Sequence, residues 1–263
     1  MHTNKGVFMY SDYHVHSSFS FDSEETLDNI IKKAVSLNMK QIAITDHQDF
    51  NWPVKGESPY IDFNRYFDTL NHYADKYKNK IQILKGVELG ITMDNVQLCR
   101  KLLHNVNFDF VIGSCHVVDN MDPYYYSFWE SHTDREAFEL YFSTLLDALH
   151  SFNSVDTLGH LDYIVRYSPN KDANYCVFDY MDVIDEILKF IITHYIKLEI
   201  NTAGLAKGLD FPNPHTDIIK RYTELGGKYV TIGSDAHKAC DIGFGFNKIE
   251  DIANRYNLKI YEK

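Results

Sequence analysis

The regular alternation of short β-rich runs with amphipathic segments most constrains the fold of this chain. Strands that alternate with helices predict a mostly parallel sheet, either closed as a barrel or open and doubly wound. The seven predicted strands are FMYSDYHVH near the start, QIAIT at Gln41, IQILKGVEL at Ile81, FDFVIGS around Asp109, VDTLG at Val155, IKLEI at Ile196 and KYVTIGS at Lys228.

The segments between these strands carry helical periodicity. After Ser23-Glu24-Glu25, apolar residues recur from Leu27 to Val35 at the spacing of an amphipathic helix with an acidic first turn. Similar patterns predict helices over residues 62–79, 94–105, 134–152, 180–194 and 214–225, the last with Pro214 in its first turn. The irregular stretches 48–59, 117–133, 167–174 and 203–213 are predicted to be loops over a site.

Length and charge limit the possible organisation and partners. With 263 residues and 44% hydrophobic content, residues 1–263 are expected to form one domain, with two small domains as the alternative. A formal net charge of −11 argues against nucleic-acid and anionic-membrane partners. An anionic substrate is still compatible, because bound divalent cations would reverse the sign of the field in a pocket.

Neither the N-terminus nor the cysteines indicate secretion. The opening MHTNKGVFMY lacks the apolar stretch of a signal peptide, and no run of about 18 apolar residues occurs, so a cytoplasmic location is expected. The four cysteines form no CxxC pair, which favours reduced, structural thiols over a disulfide framework or a thiolate zinc site.

Residues of the metal-binding type follow six of the seven predicted strands. Carboxyl ends of parallel strands meet on one face of an α/β barrel, so these residues become neighbours there. A metal site is therefore predicted from strand-end placement. The potential ligands in chain order are His14 and His16, His47 (preceded by Asp46), Glu88, His116, His160, and Asp235 and His237.

The spacing within two of these motifs has a direct geometric meaning. Residues i and i+2 of a strand point the same way, so His14 and His16 can reach one metal, and Asp235 and His237 repeat the pattern. Each motif alone also has an ordinary interpretation, such as a helix-capping Asp or a packed core histidine. Their conjunction at strand ends favours the metal site.

The ordered motifs DYHVHSSFSFD, ITDH, GVELG, GSCH, GHLDY and GSDAH extend from about Tyr10 to about Gly245. With LEINTAGL and IGFGF, they resemble the polymerase and histidinol phosphatase (PHP) family, specifically its histidinol-phosphatase branch. The resemblance implies a single-domain α/β fold, a distorted (β/α)7 TIM-like barrel, with a trinuclear metal centre at the C-terminal ends of the strands.

The same resemblance implies a division of the ligands among three divalent ions. The first ion would be held by His14, His16, Glu88 and Asp235, the second by Glu88, His116 and His160, and the third by Asp22, His47 and His237. Asp22 depends mainly on its spacing after HVH, and Ser23 with Asp22 also has the pattern of a helix cap. Glu88, Asp235 and His237 are the predicted catalytic residues.

Clustered divalent ions suit the hydrolysis of a phosphate monoester, which is among the slowest uncatalysed reactions. They lower the pKa of a bound water from 15.7 to about 7, which supplies hydroxide, and they bind phosphoryl oxygens. Imidazole-rich ligation favours zinc, iron or manganese over magnesium.

The predicted substrate is a small phosphorylated metabolite. Arg166 stands where histidinol phosphatases carry a basic residue, and its planar fork suits a phosphate, although a surface arginine is the alternative. The branch usually has Arg after GL, whereas this chain has Ala206 followed by Lys207, a more mobile point charge.

The favoured function is hydrolysis of L-histidinol phosphate, with Arg166 and Lys207 as predicted substrate-binding residues. A PHP phosphoesterase acting on another small monoester or phosphodiester is the alternative. An amidohydrolase-like metal hydrolase is more remote, because that family usually places a bridging Lys where this chain would use Glu88. A non-catalytic metal-binding module is also possible, but the complete ligand set argues against it.

Overall fold

A computed structural model describes residues 11–57 and 60–263. Its parallel sheet has the order β1-β3-β4-β5-β6-β7-β8, and β2 pairs with the second half of β3. The strands are β1 (Gln41–Ile44), β2 (His47–Asp49), β3 (Gln82–Gly90), β4 (Phe110–Ser114), β5 (Thr157–Leu158), β6 (Lys197–Asn201), β7 (Tyr229–Gly233) and β8 (Lys259–Ile260).

Helices connect the strands, as parallel pairing requires. They are α1 (Leu27–Ser36), α2 (Phe63–Tyr77), α3 (Val96–Asn105), α4 (Tyr126–Trp129), α5 (Asp134–Ser151), α6 (Met181–Thr193), α7 (Ala203–Ala206), α8 (Thr216–Glu224) and α9 (Phe246–Arg255).

Residues 11–16, which we call the closing segment, join the two ends of this curled sheet. Asp12 forms a parallel bridge with Ile42 of β1, and Val15 forms one with Ala236 just after β7. The first predicted strand therefore lies where a barrel needs it, but it pairs through isolated bridges rather than a continuous ladder; Phe8 to Tyr10 of that prediction lie outside the described residues. Of the two arrangements that the strand pattern allowed, the curled sheet therefore has the barrel form that the family resemblance implied.

The other predicted strands and helices are present within a few residues of their expected bounds, with one local difference. The helix predicted from Pro214 begins at Thr216, because the His215 side chain accepts the backbone N–H of Asp217 and caps it. Pro214 thus precedes the helix. Two elements that follow the last predicted motif, α9 and β8, were not predicted. Nor were β2, α4 and α7, which lie wholly or partly in stretches predicted to be loops.

The barrel has an outer and an inner apolar layer. A large cluster packs the strands against the helices, and the buried Tyr66 hydroxyl of α2 donates to the backbone oxygens of Ile44 and Gly86. A separate inner cluster consists of Tyr13, Ala43, Leu84, Phe110 and Ile112. Leu84 and Glu88 lie on the same face of β3, four residues apart. The apolar floor of the barrel thus lies beneath a polar upper layer.

Two further predictions concern thiols and membranes. Cys99 and Cys115 are buried, whereas Cys176 and Cys240 are exposed, and all four are free thiols. The structural role expected of all four therefore applies only to the buried pair. Across residues 11–57 and 60–263, no helix combines the length and apolarity needed to cross a membrane.

Candidate metal centre

Glu88, near the end of β3, is the centre of the polar layer and is fully buried. Five imidazoles surround its carboxylate. Oε2 lies 3.1 Å from His14 Nε2, 3.1 Å from His47 Nδ1 and 3.4 Å from His16 Nε2, whereas Oε1 lies 2.9 Å from His160 Nε2 and 3.2 Å from His116 Nε2. One carboxylate therefore lies beside histidines of both the first and second predicted ions, which the resemblance expected Glu88 to bridge, and also beside His47 of the third.

Asp235, just after β7, faces the first two histidines from the other side. Its Oδ1 lies 3.4 Å from His16 Nε2 and 3.6 Å from His14 Nε2. The residue has left-handed backbone geometry with φ 56°, a conformation that Asp tolerates better than most side chains. This turn directs the carboxylate back over the barrel.

Asp22 joins His47 and His237 at the more exposed side of the cluster. Its Oδ2 lies 3.0 Å from His237 Nε2 and 3.6 Å from His47 Nε2, and its side chain is 37% exposed whereas Glu88 is fully buried. The helix-cap interpretation of Asp22 is wrong, because Thr26 caps α1 by accepting the N–H of Asn29. All nine predicted ligands thus lie in one cluster.

Several buried atoms of this cluster have no hydrogen-bond partner. Buried polar atoms are rarely left unpaired, so these atoms call for a ligand. They include His14 Nε2, His16 Nε2, His47 Nδ1, Glu88 Oε2 and His237 Nε2. Sets such as His14, His16 and Glu88, or Glu88, His116 and His160, bring their ligand atoms within 4.8 Å of one another. The residues therefore fit divalent metal ions of the zinc, iron or manganese type.

The electrostatics of the cluster differ from ring to ring. Burial acts to lower the pKa values of His14, His47 and His116, but neighbouring carboxylates outweigh it and raise them, so these rings must lose a proton when they bind an ion. Burial, followed by the imidazoles of His237 and His47, lowers the pKa of His16 to about 3, which leaves a neutral ring with a free lone pair. Burial acts to raise the pKa of Glu88, but His14 and other imidazoles outweigh it and hold that pKa well below its usual range. Neutral imidazole and ionised carboxylate are the forms that bind metals.

Glu199 in β6, which the sequence analysis missed, supports the first histidine. Its Oε1 lies 2.7 Å from His14 Nδ1, and its Oε2 accepts the backbone N–H of His160 at 2.7 Å. Gly233 leaves room for this pair, since a Cβ there would lie 2.3 Å from Glu199 Oε1. A carboxylate on the far nitrogen fixes the ring orientation and tautomer of a metal-ligating histidine.

Asp49 in β2 has the same relation to His116 and was also missed. Its Oδ1 lies 2.8 Å from His116 Nδ1, and a Cβ on Gly90 would lie 1.7 Å from that oxygen. Two signals could have revealed these carboxylates. Asp49 follows His47 at the i+2 spacing, and Glu199 lies in the one predicted strand that had no assigned ligand.

Asp46 follows β1 as predicted but supports the site rather than facing the cluster. Its carboxylate accepts the backbone N–H of Ser17 at 2.6 Å and the hydroxyl of Ser20 at 2.7 Å. Asp12 similarly accepts the backbone N–H and hydroxyl of Ser234, at 3.0 Å and 2.6 Å. The closing segment is thus anchored beside both histidines of HVH.

A cavity of about 560 Å³ opens above the cluster. Arg166 lines it but is 94% buried, which rules out the surface interpretation. The guanidinium donates to Asp235 Oδ2 at 2.7 Å, to Asn201 Oδ1 at 2.7 Å and to Asn213 Oδ1 at 2.5 Å.

Lys207 is exposed and also lines the cavity, with Nζ 5.7 Å from the centre of the Tyr167 ring. Parts of all four predicted loops line the same cavity.

The closed parallel sheet and the imidazole–carboxylate cluster at its carboxyl end define an α/β-barrel metalloprotein. The PHP domain matches residues 12–203, and the chain belongs to this family. This membership favours the phosphoesterase interpretation over the amidohydrolase alternative.

Relatives of similar length support the assignment. A probable histidinol-phosphatase of Clostridium acetobutylicum is 38% identical over 251 residues, covering 95% of each chain. The crystal structure of histidinol phosphate phosphatase from Lactococcus lactis, complexed with zinc, L-histidinol and phosphate, superposes with a TM-score of 0.86 at 30% identity. That match covers 96% of this chain and 95% of the other. A putative histidinol phosphatase of Listeria monocytogenes, with a TM-score of 0.74 at 20% identity, shares the fold.

Proposed function

We propose that this protein is a metal-dependent phosphatase that hydrolyses L-histidinol phosphate to L-histidinol and inorganic phosphate, a late step of histidine biosynthesis. The observation that carries the proposal is the Glu88-centred cluster of unpartnered nitrogen and oxygen atoms beneath a cavity that Arg166 also lines. The substrate is chosen because a relative of the same fold binds zinc, L-histidinol and phosphate. We further propose that residues 1–263 act as one domain; the predicted cytoplasmic location stays a prediction.

We propose three divalent ions for this centre, with zinc, iron and manganese as the candidate metals. His14, His16, Glu88 and Asp235 would hold the first, and Glu88 would share a second with His116 and His160. Asp22, His47 and His237 would hold the third, at the more exposed side. When bound, such ions supply an acidified water as nucleophile and neutralise the charge that grows on the phosphoryl oxygens.

Arg166 is the proposed phosphate-binding residue of the chain itself. A guanidinium has five N–H groups, and three of them are engaged by Asp235, Asn201 and Asn213. The remaining donors can hold a phosphoryl oxygen, and the buried hydrogen bonds keep the fork from turning away. Lys207 adds a mobile positive charge at the cavity wall.

Asp235 and His237 are the proposed groups that handle protons during the reaction. Both line the cavity, and Asp235 also contacts the Arg166 guanidinium. The leaving alkoxide needs a proton, and Asp235, His237 or a water on a bound ion are the candidate donors. His237 suits this role better, because Asp22 outweighs burial and raises its pKa, whereas the pKa of Asp235 lies well below its usual range.

The direct test is phosphate release from L-histidinol phosphate by protein reconstituted separately with manganese, zinc and iron. We expect turnover with at least one metal and none after chelation. A panel of phosphorylated metabolites supplies the comparison. No release from L-histidinol phosphate, together with a good rate on another ester, would overturn the proposed substrate and leave phosphatase activity in place.

Ala206 favours one second candidate, a phosphatase for a different small phosphate ester. The side chain lines the cavity where the branch usually carries Arg, and the neighbouring Lys207 is exposed. The same panel distinguishes the two candidates.

A further inference from the structure

A row of aromatic side chains surrounds part of the cavity, and neither the metal cluster nor the phosphate site uses it. We call it the aromatic rim; it consists of Phe21, Trp52, Tyr125, Tyr124 and Tyr167, all of which line the cavity. The rings of Phe21 and Trp52 lie 5.6 Å apart, those of Tyr124 and Tyr125 5.0 Å, and those of Tyr124 and Tyr167 5.3 Å. Four separate loops contribute to it.

The two ends of the rim adjoin the metal cluster. The Phe21 ring lies 5.7 Å from that of His47. At the other end, Tyr167 lies 4.8 Å from Tyr163, whose ring lies 4.9 Å from His160. A molecule whose phosphate reaches the cluster would therefore place the rest of its structure beside the rim.

Two carboxylates interrupt the rim. Glu57 joins Trp52 to Tyr125, accepting the indole N–H at 2.9 Å and the Tyr125 hydroxyl. Because a carboxylate has about four acceptor positions, both contacts leave capacity for a further donor. Glu57 thus holds two rings in place and still presents negative charge to the cavity.

Asp122 is the second carboxylate, and it is 94% buried although it lines the cavity. Its Oδ1 accepts the backbone N–H of Tyr124 at 2.8 Å and is 3.5 Å from the Tyr163 hydroxyl. Within residues 11–57 and 60–263, no donor contacts Oδ2 and no basic side chain pairs with Asp122. A buried carboxylate with an open oxygen is costly unless a cation or donor meets it.

We propose that the aromatic rim, with Glu57 and Asp122, binds the organic cation of the substrate, a primary ammonium or a protonated imidazole. Aromatic faces attract such cations, and a carboxylate gives a charge-assisted hydrogen bond. The site therefore selects phosphate monoesters of cationic alcohols over neutral ones. This inference rests on the proposed function, in which L-histidinol phosphate supplies both the phosphate and the cation.

The charge state of Asp122 fits this role. Burial raises its pKa to about 6, so the group is largely ionised at pH 7 but poorly solvated. A bound ammonium would replace the missing solvation. Within the described residues no ion pair of Asp122 occurs: Lys207 lies over Tyr167 at 5.7 Å, and His116 and His47 act on the Asp122 carboxylate only through space.

The test compares two substrates and two matched variants in the metal-loaded protein. Asp122→Asn should lower kcat/KM for L-histidinol phosphate by about 10- to 100-fold, mainly through KM, because one charged hydrogen bond is lost. Hydrolysis of 4-nitrophenyl phosphate, which lacks a cation, should change less than about 2-fold. Asp241→Asn removes the same charge from the cavity lining outside the rim and should alter neither substrate.

Calorimetric binding of L-histidinol, with inorganic phosphate present, gives a readout that does not depend on turnover. We expect Asp122→Asn to weaken this binding by the same factor and Asp241→Asn to leave it unchanged. An equal loss on both substrates would show a structural role for Asp122, and an equal effect of the two variants would show a general charge effect. Either result overturns the rim proposal.

The outcomes also separate this inference from the proposed function. A wild-type protein that binds L-histidinol through Asp122 but releases no phosphate from L-histidinol phosphate would contradict the proposed reaction and support the rim. Normal turnover of L-histidinol phosphate that Asp122→Asn leaves unchanged would support the proposed reaction and contradict the rim proposal.

Discussion

The metal cluster and the aromatic rim face the same cavity, but they are built in different ways. The cluster residues are mostly buried, follow strands that the ladder hydrogen bonds hold in register, and are supported by Glu199 and Asp49. The rim lies on loops, and Tyr124 and Phe21 are 55% and 37% exposed. The difference suggests that strand ends fix the reaction, whereas loops set the choice of substrate.

This contrast predicts different kinetic effects for substitutions in the cluster and in the loops. Changes in the cluster should lower kcat and the metal content, whereas changes in the loops should act on KM and leave the metal in place. A cluster variant that altered only KM, or a loop variant that released metal, would break the distinction.

The largest expected effect is that of Glu88→Gln. Loss of the central charge should cost several kcal/mol of charge stabilisation, which corresponds to a fall of roughly 10³-fold in kcat. Phosphate release and metal content by mass spectrometry are the measurements, and Glu24→Gln on the exposed surface is the control. Unchanged turnover would revive the interpretation as a non-catalytic metal-binding module.

Arg166→Lys should have the next largest effect. Lysine cannot reproduce three hydrogen bonds in fixed directions while also binding phosphate, so kcat/KM should fall by about 10²-fold. Metal content should stay within error of the wild type. If the variant also lost metal, Arg166 would act mainly by holding Asp235 in place.

Glu199→Gln and Asp49→Asn test the support of the cluster. Each removes a carboxylate from the far nitrogen of a histidine, and each should weaken metal affinity by about 10- to 100-fold. Competition with a chelator measures the affinity directly. Turnover at saturating metal should recover most of its wild-type value; a loss that metal cannot restore would indicate a direct part in the reaction.

Lys207→Ala should have the smallest effect. The ammonium is exposed, so its contribution is screened, and KM should rise by less than about 5-fold with kcat unchanged. Ala206→Arg, which restores the branch pattern, should lower KM instead. Steady-state kinetics at two salt concentrations check both, since a screened charge loses its effect at high salt.

The sequence predicted the cluster because strand-end placement turns distant residues into neighbours. His14, Glu88 and Asp235 were located in this way, and the sheet and most helices followed from periodicity. Glu199 was missed because it lies within β6 rather than just after a strand, and its side-chain hydrogen bond to His14 leaves no periodic pattern in the sequence. The aromatic rim was missed for a related reason: loop residues such as Trp52 and Tyr124 meet only through the folded path of the chain.

The closing segment also determines how an ion in the metal centre would restrain the unfolded chain. His14 lies near one end of the chain and Asp235 near the other, and both face the position proposed for the first ion. An ion held by the two would cross-link the chain and close a loop of nearly its whole length. Cross-links that close long loops lower the conformational entropy of the unfolded chain the most. A protein whose cysteines are all free would thus obtain from its reaction centre the restraint that secreted proteins obtain from disulfides.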